Sequence, residues 1–96
     1  GNRLKADQAY ADYNLGIALV AKGMNQEAIS HYKMAIKLKP DFAQAYSNLG
    51  VALVFEGKIE EAISHYKMAI KLNPDYADAH NNLETVLRSM EIQDLF

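Results

Sequence analysis

The sequence predicts an all-α fold, an αα-hairpin solenoid of two full repeats followed by a C-terminal capping helix. Three observations predict it. Residues 27–38 read EAISHYKMAIKL, and residues 61–72 read the same twelve residues again, thirty-four positions later. Aligned without a gap, residues 7–40 and 41–74 share 23 identities in 34 positions, more than a common helical composition would produce. Pro40 and Pro74 close both copies. A period of this size marks stacked supersecondary units, each burying its apolar face on the next.

The elements follow in chain order. Residues 1–6 are expected to be an N-terminal extension, with Gly1 a remnant of excision from a longer chain. Repeat 1 spans 7–40 and repeat 2 spans 41–74. A third copy begins at Asp75 with DYADAHNNL, parallel to DFAQAYSNL at 41–49, and runs out, leaving 75–96 as a half repeat and tail. In the first helix of repeat 1, Ala11, Leu15, Ala18 and Leu19 fall on one stripe; in its second, Ala28, Ile29, Tyr32, Ala35 and Ile36 do. Helices are therefore expected at about 7–22, 25–38, 41–56, 59–72 and 75–90, the last with room to run on through Asp94. Gly23 and Gly57 stand between the stripes, where a left-handed residue ends a helix without a Cβ penalty. Asp7, Asp41 and Asp75 are N-cap candidates, with Gln44 placed to complete a capping-box-like pair with Asp41. Lys37, Lys39 and Lys71 lie near C-terminal ends, where cations complement the helix dipole.

Composition narrows the function classes. Ten Lys and Arg against twelve Asp and Glu leave a formal charge of -2, which gives no general attraction to nucleic acid or an anionic membrane. The absence of cysteine excludes a disulfide scaffold, a thiol nucleophile and a zinc–cysteine site, and suits either redox compartment, with the cytoplasm the expected setting. No apolar run approaches the length of a membrane span.

The repeat resembles the tetratricopeptide repeat family, whose unit is a thirty-four-residue helix-turn-helix. Asn14-Leu15-Gly16, Leu19, Gly23, Ala28, Tyr32, Ala35 and Pro40 carry the motif in the first copy. Tyr46, Asn48-Leu49-Gly50, Leu53, Gly57, Ala62, Tyr66, Ala69 and Pro74 carry it in the second. Gly16 and Gly50 are expected at close helix approaches, Ala28 and Ala62 where helices cross, and the tyrosines in wider gaps. Asp12 departs from the pattern, standing where Tyr46 and His80 stand in the other copies. Glu84 replaces the packing glycine in the third copy, as expected where the partner helix is missing. Ile92, Leu95 and Phe96 would then be apolar side chains near a free end, folding back on the last hairpin or joining a neighbouring chain.

The resemblance implies that the first helix of each hairpin forms a concave, ligand-facing wall. Here that wall comprises Tyr10, Tyr13, Asn14, Ile17, Val20 and Ala21; Gln44, Ser47, Asn48, Val51, Val54 and Phe55; and Asp78, Asn81, Asn82, Thr85 and Arg88. Asn14, Asn48 and Asn82 recur in one register, and each amide offers two donors and an acceptor. Such a ladder suits a peptide backbone; it equally suits bonds to neighbouring backbone that fix repeat stacking. The tetratricopeptide region of the O-linked N-acetylglucosamine transferases, similar to this chain in its SNLG and AHNNL segments, uses an asparagine ladder of this kind. Phe55, whose counterpart is the small Ala21, is the anchor candidate. The family's carboxylate clamp for chaperone tails needs Lys, Arg and Asn on the wall; Tyr13, Ile17 and Asp78 stand at matching places, and only Asn48 fits.

Other constellations carry less. Glu27 and His31, like Glu61 and His65, are four residues apart on one helix face, which reads as an exposed helical pair in preference to two ligands of an incomplete metal site. His80 is expected to pack in place of tyrosine. Lys33, Lys37, Lys67 and Lys71 form a solvated outer ridge. No phosphate loop or catalytic constellation appears. The sequence therefore predicts a non-catalytic interaction module with no cofactor or metal, taking a peptide segment of a partner through Tyr10, Tyr13, Asn14, Ile17, Gln44, Asn48, Val51, Phe55, Asp78 and Asn82. Two alternatives are a substrate-recognition or oligomerisation segment of a larger enzyme such as a glycosyltransferase, and an engineered, consensus-like array without a native ligand.

Overall fold

A computed structural model describes residues 1–95. Five helices follow one another: α1 Asn2–Ala21, α2 Asn25–Leu38, α3 Ala43–Phe55, α4 Ile59–Leu72 and α5 Ala77–Asp94. Helices α1 and α2 form one hairpin, α3 and α4 a second, and α5 packs on α4 as a single closing helix. The array is elongated, 52 × 29 × 17 Å, because each unit touches only its neighbours. No described helix is long and apolar enough to cross a membrane.

Each hairpin turns at its glycine. Gly23 and Gly57 have φ of 78° and 76°, the left-handed region that a side chain enters only with strain. With that φ, the Gly23 N–H reaches the Val20 carbonyl at 2.9 Å and the Met24 N–H reaches the Leu19 carbonyl at 2.9 Å. The pair of bonds satisfies carbonyls that the helix end would leave orphaned. The same two bonds recur from Gly57 to Val54 and from Lys58 to Leu53.

Within each hairpin the close approach is set by a glycine facing a tyrosine ring. A Cβ on Gly16 would lie 2.5 Å from Cε1 of Tyr32, and one on Gly50 would lie 2.5 Å from Cε1 of Tyr66. The core joins the hairpins through Leu19, Ala28, Ile29, Tyr32, Leu49, Ala52, Leu53, Ala62, Tyr66 and Val86. Ala9, Ala35, Phe42 and Ala45 make a second cluster toward the N-terminal end.

Several sequence expectations change. Helix α1 begins at Asn2, not near residue 7, since Asn2–Ala6 contains no breaker and continues the helix without a turn. Helix α5 runs through Asp94. The buried stripe of α1 is Ala9, Asp12, Gly16 and Leu19; Ala11, Leu15 and Ala18 are exposed. Their counterparts Ala45, Leu49 and Ala52 are fully buried in α3, so the stripe expected for α1 is the one that meets a preceding helix. None of the aspartates caps a helix. Asp7 lies inside α1, and the N-cap positions of α3 and α5 are Phe42 and Tyr76, without side-chain cap bonds. The X-Pro-Asp turn places the aspartate one residue too early, and Asp41 instead pairs with Lys39 at 2.8 Å. Gln44 therefore has no capping box to complete. Ile92 and Leu95 are exposed and do not fold back on the last hairpin; Phe96 lies outside the described residues.

Candidate peptide-binding site

The first helices line up side by side, and their shared face carries a shallow cleft. Ile17 and Val20 from α1, Asn48 and Val51 from α3, and Tyr32 from α2 line about 170 Å³ of it. Val20, Val51 and Val54 are half-buried against the core, whereas Ile17 is exposed and Phe55 is 61% exposed. The apolar strip on the wall is thus divided: the valines support the core and the Ile17 and Phe55 side chains face outward.

Asn48 joins the two repeats at the cleft floor. Its Nδ2 donates to the Tyr13 hydroxyl at 3.3 Å. Burial raises the Tyr13 phenol above its usual value while the Asn48 bond opposes it. The Tyr32 phenol is pushed up to about 12, chiefly by burial, with Tyr13 adding and Asn48 again opposing. Both hydroxyls therefore stay protonated at neutral pH and serve as donors as well as acceptors. Asn14 is exposed and Asn82 half-buried, and among the described residues neither side chain makes a hydrogen bond. The ladder has one rung tied into the fold and two rungs free.

The N-terminal part of the wall is aromatic. Tyr10 meets Phe42 edge-on at 4.9 Å, and Tyr13 lies 4.8 Å from the same ring. Phe42 is buried beneath the pair, and the Lys39 ammonium sits 5.6 Å from its centroid. Tyr76 occupies the equivalent place one repeat on. Burial raises its phenol, Tyr13 and Asp78 add to the rise, and the buried Ser47 hydroxyl opposes it. Gln44 and Asp78 are exposed. Tyr32, Phe42 and Tyr76 were not among the wall residues expected from sequence; the glycine sixteen residues before Tyr32 was the signal that its ring crosses to the first helix.

The histidines take other partners than expected. His31 Nδ1 donates to the buried Asp12 carboxylate at 3.1 Å, not to Glu27, and Gln8 donates to the same carboxylate at 3.3 Å. His65 donates to the Glu61 backbone carbonyl at 2.8 Å and stacks on Tyr46. The Asp12–His31 pair thus replaces the Tyr46–His65 stack one repeat earlier. His80 is exposed, donating to the Pro74 carbonyl at 2.7 Å instead of packing as a tyrosine would. No three His, Asp or Glu side chains among the described residues gather closely enough to hold a metal ion.

A helical-hairpin array with this turn and this glycine–tyrosine contact can be compared with known families. A family model described as a TPR repeat matches residues 16–55 and 52–83. The chain belongs to the tetratricopeptide repeat family. Among solved structures, the crystal structure of MamA protein matches with a TM-score of 0.84 at 29% identity, over 91% of this chain and 48% of that one. The tetratricopeptide chain thus spans about half the length of MamA. The second tetratricopeptide domain of Spaghetti (RPAP3), bound to the HSP90 peptide SRMEEVD, gives a TM-score of 0.89 at 24% identity, covering 97% of this chain and 85% of that one. The first such domain, bound to the same peptide, gives 0.86 at 20%, covering 93% and 72%. At these identities the two Spaghetti domains show the shared fold. No curated protein matches the chain.

Proposed function

We propose that the chain is a non-catalytic interaction module whose concave wall binds an extended peptide segment of a partner protein. One observation carries this reading: among the described residues Asn14 and Asn82, in register with the cleft-floor Asn48, keep their amides free of side-chain hydrogen bonds beside the outward-facing Ile17 and Phe55. Free amides at a repeat spacing fit the repeating donors and acceptors of an extended backbone. Exposed apolar anchors beside the amides supply contact area and side-chain selection.

The peptide differs in charge from the one held by the Spaghetti domains. SRMEEVD is acidic, and an acidic terminus is held by cations. On this wall Tyr13, Ile17 and Asp78 stand where the clamp needs cations and amides, so a peptide carboxylate held there would meet no cation at those places, and Arg88 farther along is paired with Glu84. The module selects uncharged or basic segments with an apolar side chain for the cleft.

A peptide array of ten-residue segments probed with the labelled protein tests this. Bound segments are expected to be poor in Asp and Glu and to carry an aliphatic or aromatic residue. SRMEEVD is expected to bind more weakly than about 1 mM. Tight binding of SRMEEVD, or a bound set enriched in acidic C-termini, would overturn the reading.

A further inference from the structure

The floor of the cleft carries hydrogen-bonding groups that the fold leaves unused. Asn48 donates through Nδ2 to the Tyr13 hydroxyl at 3.3 Å, so the Tyr13 oxygen acts as an acceptor and keeps its own proton to give. Among the described residues that O–H has no acceptor, and the Tyr32 hydroxyl makes no hydrogen bond. The two rings are neighbours, with centroids 6.1 Å apart. Tyr32 is 2% exposed and still lines the cleft. Asn25 Oδ1 is the one fully buried side-chain polar atom without a partner among the described residues, so the Tyr32 hydroxyl is not sealed in the core and opens on the cleft. Both protons stay in place at neutral pH because burial raises both phenols. A donor held largely out of water gains from finding an acceptor.

Asn48 Oδ1 completes the group as an acceptor without a bond among the described residues. Two O–H donors and one acceptor thus stand at a space whose sides are Ile17, Val20 and Val51. We infer that this space is a carboxamide seat for a glutamine of the bound segment: the stem lies against the aliphatic sides, Oε1 accepts from the Tyr13 and Tyr32 hydroxyls, and Nε2 donates to Asn48 Oδ1. The seat rests on the peptide-binding reading of the wall and names one residue that the partner brings to it. A carboxylate there would set a second oxygen against Asn48 Oδ1 and hold a charge with no cation beside it. An aliphatic side chain would cover both O–H groups and leave them unpaired. The volume is about 170 Å³, and a cavity of roughly 150 Å³ takes one benzene-sized group, so one side chain fills it. The apolar residue of the segment then lies farther along the cleft, against Phe55, which is 61% exposed.

The group occurs once, although its parts are repeated. One repeat on, Tyr66 stands in the place of Tyr32 and is buried to the same degree, and Asn82 stands in the place of Asn48. Ser47, however, replaces Tyr13, and Thr85 replaces Val51. The Tyr66 phenol is raised by burial alone, whereas Tyr13 and Asn48 both act on Tyr32. Two phenols over one asparagine, between aliphatic sides, are therefore private to the junction of repeats 1 and 2. The chain offers one such seat, and it fixes which residue of the segment lies there.

Segments bound on the peptide array supply the probes: each is resynthesised with Gln, Glu and Leu in turn at every position, and affinities are measured for the wild type, Tyr32→Phe and Tyr13→Phe. One position is expected at which Gln binds about tenfold more tightly than Leu or Glu. In Tyr32→Phe the margin of Gln over Leu should shrink severalfold while the Leu version keeps its affinity. That variant keeps its ring against Gly16 and removes a hydroxyl with no bond in the fold, so its helical circular dichroism and Tm should hold. Tyr13→Phe removes the other donor and the Asn48 bond; it should shrink the margin as well, with a small fall in Tm. If segments bind and no position prefers Gln, or if the preference survives unchanged in both variants, the carboxamide seat is overturned and the peptide-binding wall stands. If no segment binds, the wall and the seat fall together.

Discussion

Gly50 is the residue on which the second hairpin depends most directly. Alanine is the better helix former by about 1 kcal/mol, so propensity alone predicts that Gly50→Ala stabilises. The Tyr66 ring lies where the new Cβ would be, 2.5 Å from Cε1, and that ring is itself buried. Overpacking of this kind costs about 1–3 kcal/mol or more and outweighs propensity. Gly50→Ala is expected to lower Tm by roughly 4–8 °C for each kcal/mol lost, and Gly50→Ala with Tyr66→Leu should recover more than the single effects add up to. A rise in Tm for Gly50→Ala would contradict the contact. The same tyrosines set an alkaline limit. Burial pushes Tyr32 and Tyr66 up to about 12 from 10.0, so the folded state holds protons that the unfolded state releases. Their contribution is present in full below pH 10 and is lost as pH rises toward 12. Urea midpoints should fall across that window, and less steeply in Tyr66→Phe. The glycine–tyrosine contact was legible in sequence as a need for close approach. The Asp12–His31 pair was not, because Glu27 offered a nearer carboxylate along the helix while the observed bond crosses between helices.

At the scale of the helix, the repeated sequence gives a controlled comparison. Leu15 and Leu49 are the same residue at the same repeat position, one exposed and one fully buried. Leu49→Ala is expected to cost about 2–5 kcal/mol and Leu15→Ala less than about 1 kcal/mol in the monomer, measured by denaturant unfolding. Equal costs would mean that α1 is covered as α3 is. Apolar periodicity located every helix, and the left-handed glycines located both hairpin turns. Periodicity reports that a stripe is apolar, however, and not whether a neighbour is present to cover it. For that reason Ala11, Leu15 and Ala18 looked like core and Ala9 and Asp12 did not. Helix starts were displaced for a local reason: the residues after Pro40 and Pro74 form a turn, with the Phe42 and Tyr76 N–H groups bonding to the Lys39 and Asn73 carbonyls, before the helix begins.

Over the whole molecule the chain is a one-dimensional stack in which second helices repeat and first helices vary. The repeated EAISHYKMAIKL supplies α2 and α4, the scaffold. Six of the eleven differences between the copies fall in the first helices and the residue that leads into α3, among them Tyr10 and Gln44, Tyr13 and Ser47, and Ala21 and Phe55; the other five lie at the turns and helix ends. The register of Asn14, Asn48 and Asn82 could be read from the period alone. That Asn48 spends one donor on Tyr13, and that Tyr32 reaches the cleft from the second helix, depends on how far the helices are apart, which the period does not state. The most direct test of the account is the affinity of an array-selected peptide, measured by calorimetry, for the wild type and for the Asn14→Ala, Asn48→Ala, Asn82→Ala triple variant. At least a tenfold loss of affinity is expected if the amide ladder holds the peptide, with Tm lowered only by the single Asn48–Tyr13 bond; unchanged affinity alongside a large fall in Tm would contradict it.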